Sequence, residues 1–306
     1  MEPNNAPNGY DSDDGDVILY YGEISIEGYH LLSDILENKK DKSPKVCLIL
    51  TTNGGDPNAA FRIARSLNHY YKSGVEILIP DVCKSAGTLI CIGATKLIIG
   101  DRGELGPLDV QLSKQNELFE NMSGLTIFQA LSVLQQLVID AFKTSLFNVR
   151  VYGKLSTKIA ADVAAKLADG FISPIMAKID PVTLGEHQRA MLIATNYGER
   201  LDNDAKSLNV GALNTLTSGY PNHSFVIDRR EARSLFTHVF SPEGKTQALY
   251  EWMRNFIKDN PKLQDPPMVS DLGKLNQETK NDTDGRTNET STAGTGLQEE
   301  RGDPEK

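Results

Sequence analysis

Between residues 45 and 100 the chain alternates apolar strand-like runs with turns and helical runs. Residues 45–51 form a continuous apolar run, as in strands that are buried on both faces of a parallel sheet. A turn and a helical stretch follow, and the pattern recurs with strand-like runs at 75–80 and 96–100. Strand, turn and helix in succession indicate β-α-β units with right-handed crossovers. The sequence therefore predicts an α/β fold with a mostly parallel sheet.

Two of the strand-to-helix turns carry residues that suggest chemistry. The pair Gly54-Gly55 follows one strand, and Ser85 follows the next. Because ligands bind at the carboxyl ends of parallel strands, we expect these turns to face each other. Ser85 would be an exposed nucleophile at a helix start, where the N–H of Ala86 could stabilise an oxyanion. Gly54 and Gly55 would supply the second donor, since glycine adopts unusual backbone angles and has no side chain to block a substrate.

Three short segments carry a resemblance to a known family. They are Thr52-Asn53-Gly54-Gly55-Asp56, Lys84-Ser85-Ala86-Gly87-Thr88 and Leu105-Gly106-Pro107-Leu108-Asp109-Val110-Gln111. Their order and composition resemble the serine dehydrogenase proteinase family, a relative of the SppA, NfeD-type and Clp peptidases, over residues 16–240. The resemblance implies a ClpP/crotonase-type spiral of β-α-β units with added helices. It also implies a serine peptidase that cleaves peptides or proteins and assembles into a homo-oligomer.

The general base is the open role in this site. No histidine follows Ser85 where the Clp peptidase has one, and Asp109 stands near that place. Lys143, in an otherwise apolar helix, is the favoured base, because an apolar environment lowers the pKa of a lysine, as in SppA-like relatives. The alternative is a His/Asp pair made by His223 and Asp109. Lys84 is a poorer base, since neighbouring side chains diverge.

Two other functions remain open from the sequence. One is a crotonase-like enzyme that uses the same oxyanion geometry on an acyl thioester, with Ser85 incidental. The other is a catalytically silent scaffold whose acidic tails recruit partner proteins. The similarity around the serine itself favours the peptidase over both.

Charge and cysteine content limit the partners and the compartment. The net charge of −9 comes from the two ends, because residues 1–16 and 270–306 together carry all of the excess acid. Because the residues between these two ends carry no net charge, the sequence gives no electrostatic reason to expect binding to nucleic acid or to a membrane surface. The 3 cysteines stand in apolar runs without ligand spacing, so we expect reduced thiols, no metal and no cofactor. With no signal peptide or membrane span in the sequence, a cytoplasmic protein is predicted.

The domain organisation follows from the same composition. We expect a disordered acidic tail at 1–15 and a peptidase domain at 16–240 that carries a helical insertion at about 124–215. A C-terminal helix is expected at 241–260, and a second disordered acidic tail at 261–306.

Overall fold

The computed structural model describes residues 15–108, 124–177 and 179–273. In these ranges the strands are β1 (Asp16–Tyr21), β2 (Lys45–Thr51), β3 (Gly74–Ile79), β4 (Val82–Cys83), β5 (Lys96–Ile99), β6 (Glu104–Leu105), β7 (Val239–Phe240) and β8 (Met268–Asp271). The helices are α1 (Ile26–Asn38), α2 (Pro57–Tyr70), α3 (Ala86–Ile92), α4 (Gly124–Val151), α5 (Thr157–Met176), α6 (Pro181–Ala205), α7 (Ala212–Asn214), α8 (Arg229–Leu235) and α9 (Gly244–Asp259).

Six of the strands form one sheet in the order β7-β5-β3-β2-β1-β8. All neighbouring strands in it run parallel except β8, which pairs with β1 in the antiparallel direction. The α/β fold with a mostly parallel sheet is therefore confirmed. The short strands β4 and β6 pair separately, and a single bridge from Thr52 to Cys83 connects them to the end of β2.

Alternating side chains of the central strands enter two separate cores. In β2, Leu48 and Leu50 pack against the helices α1, α2 and α3 on one face. Cys47 and Ile49 face the other side, where Met253 of α9 covers them. Because helices cover both faces, every position of β2 after its first residue is buried, which explains the unbroken apolar run in the sequence.

The helix starts are fixed by side-chain caps. The Ser25 hydroxyl accepts a hydrogen bond from the Gly28 N–H and begins α1. Asp56 accepts from the Asn58 N–H and begins α2, with Pro57 at the first helical position, where it displaces no hydrogen bond. The Asp56 cap lies directly after the glycine pair, so it fixes where the chain leaves that turn.

The C-terminal boundary differs from the sequence-based one. Helix α9 lies where the C-terminal helix was expected, but residues 268–271, which were expected to belong to a disordered tail, form strand β8. The sequence does not predict strand β8, because Ser270 and Asp271 make this segment polar. The strand is stabilised by its pairing with the distant β1. The parts of the predicted tails before residue 15 and after residue 273 lie outside the described residues.

Helices α4, α5 and α6 fill the region predicted as a helical insertion. Of these helices, α5 begins with the Ser156 cap and contains Pro174 in its last turns. After α6, one antiparallel bridge joins Leu105 to Ile227. None of the helices in the described ranges combines the length and apolar character that a membrane span requires.

A buried ionic cluster joins both ends of the sheet domain. The Lys39 ammonium lies 2.9 Å from Asp271 Oδ2 on β8 and 3.3 Å from Asp16 Oδ1 on β1. The Tyr71 hydroxyl donates a 2.7 Å hydrogen bond to Asp16 Oδ2. One cation therefore compensates two buried carboxylates, and it connects β8 to β1.

Replacing this lysine should destabilise the protein. Lys39→Met leaves Asp16 and Asp271 buried beside each other without their cation, which costs about 3–5 kcal/mol of unfolding free energy. Urea unfolding followed by circular dichroism measures the loss. Lys258→Met, at an exposed position of α9, is the matched control and should change the unfolding free energy by about 0.5 kcal/mol or less. Equal stability of the two variants would contradict this role of Lys39.

Candidate active site

Ser85 lies at the turn between β4 and α3 in a strained backbone conformation. Its φ of 50° and ψ of −111° are rare for a residue with a side chain. Such strain costs on the order of 1–3 kcal/mol and persists where the surrounding structure enforces it, often at functional sites. The side chain is half-buried, at the N-terminal end of a helix whose residues are all buried. The sharp turn thus holds the hydroxyl at a defined position on the sheet edge.

The backbone of Thr52 joins this turn to the end of β2. The Thr52 N–H donates to Val82 O at 2.9 Å, and Thr52 O accepts from the Lys84 N–H at 3.0 Å. Thr52 itself is fully buried. These two bonds fix the glycine turn and the serine turn relative to each other.

Gly54 is the point of closest approach between the two turns. A Cβ on Gly54 would lie 2.9 Å from Ser85 Cβ and 3.3 Å from Lys84 O. Its φ is 121°, in the region that favours glycine. The predicted facing of Gly54 and Ser85 is therefore present, and a side chain at Gly54 is excluded on two grounds.

The backbone donors around Ser85 are not equivalent. The Gly54 N–H donates to Thr52 Oγ1 at 3.0 Å, so it is used within its own turn. No described residue accepts a hydrogen bond from the N–H of Gly55 or of Ala86. Within the described part of the chain, each of the two turns therefore has one backbone N–H group without a backbone acceptor.

A cleft of about 530 Å³ opens over the serine. Its lining includes the predicted site residues Ser85, Gly54, Gly55, Ala86 and His223. The structure thus brings together a hydroxyl, backbone donors and an imidazole that are separated by up to 169 positions in the sequence. These groups are the components that acyl transfer by a serine nucleophile requires.

Lys84 holds the segment that carries His223 against the nucleophile turn. The Lys84 ammonium forms a 2.8 Å ion pair with Glu104 Oε1 and donates to Ser224 O at 3.2 Å. Two backbone bonds between Leu105 and Ile227 fix the same segment a few residues later. The lysine next to the serine is therefore engaged in positioning, as its low rank among the candidate bases suggested.

Thr88 connects the nucleophile helix to the Leu-Gly-Pro segment. Its hydroxyl is buried, donates to Gly106 O at 2.8 Å, and lies 3.4 Å from the Gly106 N–H. A Cβ on Gly106 would lie 3.0 Å from Lys84 Cβ. The threonine and the glycine of two separate sequence motifs thus meet in one contact.

One predicted residue does not line the cleft, and another lies outside the described residues. Lys143 lies on α4 with its side chain exposed, and it is absent from the cleft lining. Asp109 lies outside the described residues. Sequence reasoning also missed several residues that do line the cleft, namely Glu23, Asn53, Leu89, Leu108, Ala194 and Asp265. Only Asn53 and Leu108 belong to motifs that could have indicated them.

The fold and the site together define a class. A mostly parallel sheet presents a strained serine at its carboxyl edge, opposite a glycine turn of the neighbouring strand. This is the arrangement expected of a ClpP-like serine proteinase. A family model described as "ClpP-like SDH-type serine proteinase" matches residues 18–177, more than half of the chain. The chain belongs to this family, which confirms the resemblance seen in the sequence.

Individual relatives match over shorter lengths. An uncharacterized protein of Methanocaldococcus jannaschii is 36% identical over 98 residues, which are 32% of this chain and 33% of the relative. Among solved structures, a lysine-to-alanine mutant of the 1510-N membrane-bound stomatin-specific protease with a substrate peptide is 17% identical, with a TM-score of 0.31. That match covers 48% of this chain and 63% of the other. A serine-to-alanine mutant of the 1510-N protease is 16% identical with a TM-score of 0.30, over 48% of this chain and 67% of the other.

Adding one methyl group at Gly54 should inactivate Ser85. In Gly54→Ala the new Cβ would displace the serine, and a displacement of about 1 Å costs on the order of 10²-fold in rate. The rate of covalent labelling by a fluorophosphonate measures this effect. Gly170→Ala is the matched control, because a Cβ there meets no atom within 4 Å. Labelling of both variants at the wild-type rate would contradict the close packing of the two turns.

Proposed function

We propose that this chain is a serine peptidase with Ser85 as its nucleophile. The observation that carries the proposal is the strained Ser85 turn in a cleft shared with backbone donors and an imidazole. Membership of a serine proteinase family supports the same reaction class. The substrate class is peptides or proteins, and the reaction is hydrolysis of a peptide bond.

The proposed mechanism assigns a role to each part of the cleft. Ser85 Oγ attacks the carbonyl carbon of the scissile bond while a base takes its proton, and a tetrahedral oxyanion forms. The N–H groups of Gly55 and Ala86 donate to this oxyanion, and Gly54 provides the space in which the two turns meet. The base then protonates the departing amine. Water attacks the acyl-serine with help from the same base, releasing the second product and restoring the Ser85 hydroxyl.

We propose His223 as the general base, with Asp109 as the residue that orients it. Support comes from the cleft, which His223 lines together with Ser85, and from the contacts of Lys84 that fix this segment. An imidazole changes its protonation state near neutral pH, so it suits general base catalysis. Lys143, favoured from the sequence, has a weaker case, because its side chain is exposed on α4 and does not line the cleft that contains Ser85.

Substitution of the nucleophile should abolish hydrolysis. Ser85→Ala is expected to lower kcat/KM on an unstructured protein substrate by at least about 10³-fold and to abolish fluorophosphonate labelling. Ser173→Ala, at an exposed position of α5, is the control and should label like wild type. A wild-type protein that neither labels nor hydrolyses would contradict the peptidase proposal. Acyl-thioester turnover by that protein would favour the crotonase-like alternative, and no turnover of either substrate would favour the scaffold.

Two further variants distinguish the candidate bases. His223→Gln should lower kcat/KM by about 10²–10⁴-fold, since it removes the proton acceptor. Lys143→Met should stay within about twofold of wild type, as is usual for an exposed side chain away from the reaction. The pH dependence of kcat/KM provides a second readout, because removal of the true base should also remove its limb from the wild-type profile. The opposite pattern in the two variants would assign the base to Lys143.

We also propose that the protein acts as a homo-oligomer. The support is that the helices α4, α5 and α6 expose several large apolar side chains, which include Val133, Leu137, Phe147, Phe171, Val182 and Leu192. Where exposed apolar side chains adjoin one another, they commonly mark protein interfaces. A second copy of the chain is the proposed partner.

Sedimentation velocity tests this assembly. Wild type should sediment as a species of at least twice the mass of the chain, which is 33.6 kDa. Phe147→Glu combined with Phe171→Glu should shift the protein toward the monomer, because each introduces a charge into an apolar contact. Lys258→Glu, outside α4, α5 and α6, is the control and should sediment like wild type. A monomeric wild-type protein at micromolar concentration would contradict the proposal.

A cytoplasmic location is part of the proposal. The sulfur atoms of Cys83 and Cys91 lie 3.8 Å apart, a contact between thiols rather than a disulfide bond of about 2.05 Å. Cysteine pairs this close are commonly oxidised in secreted proteins, so a reducing compartment fits better.

A further inference from the structure

A second cavity of about 380 Å³ lies beside the Ser85 cleft. Asn53 and Leu263 line both cavities, so the two share a wall next to the glycine turn. The other lining residues are Tyr21, Thr51, Asp81, Val82, Ile257, Pro261 and Lys262. The second cavity therefore opens at the carboxyl edge of the sheet, where parallel sheets bind ligands. The proposed catalytic steps use none of these residues.

The hydroxyl of Thr51 is unusual among the residues of this cavity. Thr51 is 1% exposed, and its Oγ1 has no hydrogen-bond partner within the described part of the chain. A buried polar atom without a partner is costly, and such groups are rare in folded proteins. Because Oγ1 is itself enclosed, a ligand in the cavity that donates a hydrogen bond to it must displace a neighbouring group of the cavity wall.

The second polar group on the wall is the carboxylate of Asp81. Burial raises the pKa of Asp81, and the negative charge of Glu104 adds to the effect, while the exposed Arg102 opposes it. Burial also raises the pKa of Tyr21, and the charge of Asp81 contributes, so these two groups share one environment. Lys262 is exposed at the rim of the cavity. The interior thus combines a partly desolvated carboxylate with hydroxyl and amide oxygens that accept hydrogen bonds.

We propose that this second cavity is a substrate subsite that binds a lysine or arginine side chain of the peptide. A cationic side chain provides both the hydrogen-bond donors that Thr51 and Asn53 can accept and the charge that Asp81 attracts. A peptide whose scissile bond lies over Ser85 reaches the subsite by continuing past Asn53. The inference rests on the proposed peptidase function and adds to it a preference for basic residues near the cleaved bond.

Internally quenched peptides test the preference. Decapeptides that wild type cleaves are resynthesised with lysine, norleucine or glutamate at each position flanking the scissile bond. At one position the lysine peptide should have a kcat/KM about tenfold above the norleucine peptide, and the glutamate peptide should be the poorest. Norleucine keeps the length of the lysine side chain without its charge, so the difference reports the ammonium group.

Two variants connect the preference to the cavity. Asp81→Asn keeps the shape but removes the charge, and it should bring lysine and norleucine peptides to within about twofold of each other. Thr51→Val removes a hydroxyl that has no partner, so it should reduce the lysine preference without lowering stability. Asp204→Asn, exposed on α6, is the matched control and should keep the preference. Fluorophosphonate labelling of Ser85 should proceed at the wild-type rate in Asp204→Asn, and because the reagent has no basic side chain it also reports, for each subsite variant, how much of any rate change comes from Ser85 itself.

The outcomes distinguish a failure of the subsite proposal from a failure of the peptidase proposal on which it rests. Suppose that the wild-type protein labels and cleaves, but cleaves lysine and norleucine peptides with equal kcat/KM at every position. This result would overturn the subsite proposal and would agree with the peptidase proposal. A lysine preference that persists in Asp81→Asn would also overturn the subsite proposal. A wild-type protein that neither labels nor cleaves any peptide would overturn both proposals.

Discussion

The junction between β2 and the nucleophile turn is the constraint on which the site depends. Two backbone bonds of Thr52 hold the end of β2 against β4, and they bring Gly54 into contact with Ser85. The strained backbone of Ser85 can persist only because this junction and the buried helix α3 fix the chain on both sides of it. The cleft, the proposed oxyanion donors and the neighbouring cavity all lie around this one contact.

Side chains outside the reaction position the rest of the cleft. Lys84 joins Glu104 and Ser224, and Thr88 joins the nucleophile helix to Gly106. The five-residue motif around the serine therefore contains positioning residues as well as the nucleophile. A charged residue and a hydroxyl residue within it connect three segments that are distant in sequence. Substitutions at such positions would act through the placement of Ser85 and His223 rather than through chemistry.

Much of the sheet was predictable because its signals are local. The apolar run of β2 is unbroken since helices cover both faces of the sheet, and Ser25 caps α1 through a neighbouring residue. Strand β8 was missed because its pairing with β1 joins residues that are 247 to 253 positions apart, and two of its four residues are polar. Lys143 illustrates a second limit. An apolar helical pattern indicates that one face of a helix is buried, but it does not show which residues of that helix are exposed.

The sequence by itself determined the β-α-β framework, the two turns and the serine, because short-range patterns of apolar residues, glycines and caps encode them. It also indicated that the glycine pair and Ser85 would meet, since consecutive parallel strands end at the same edge of a sheet. Only the tertiary structure decided which distant groups join them. His223 enters the cleft while Lys143 faces outward, and the hydroxyl of Thr51 is enclosed beside Asp81. These placements depend on packing between segments far apart in the chain, for which the sequence carries no local signal.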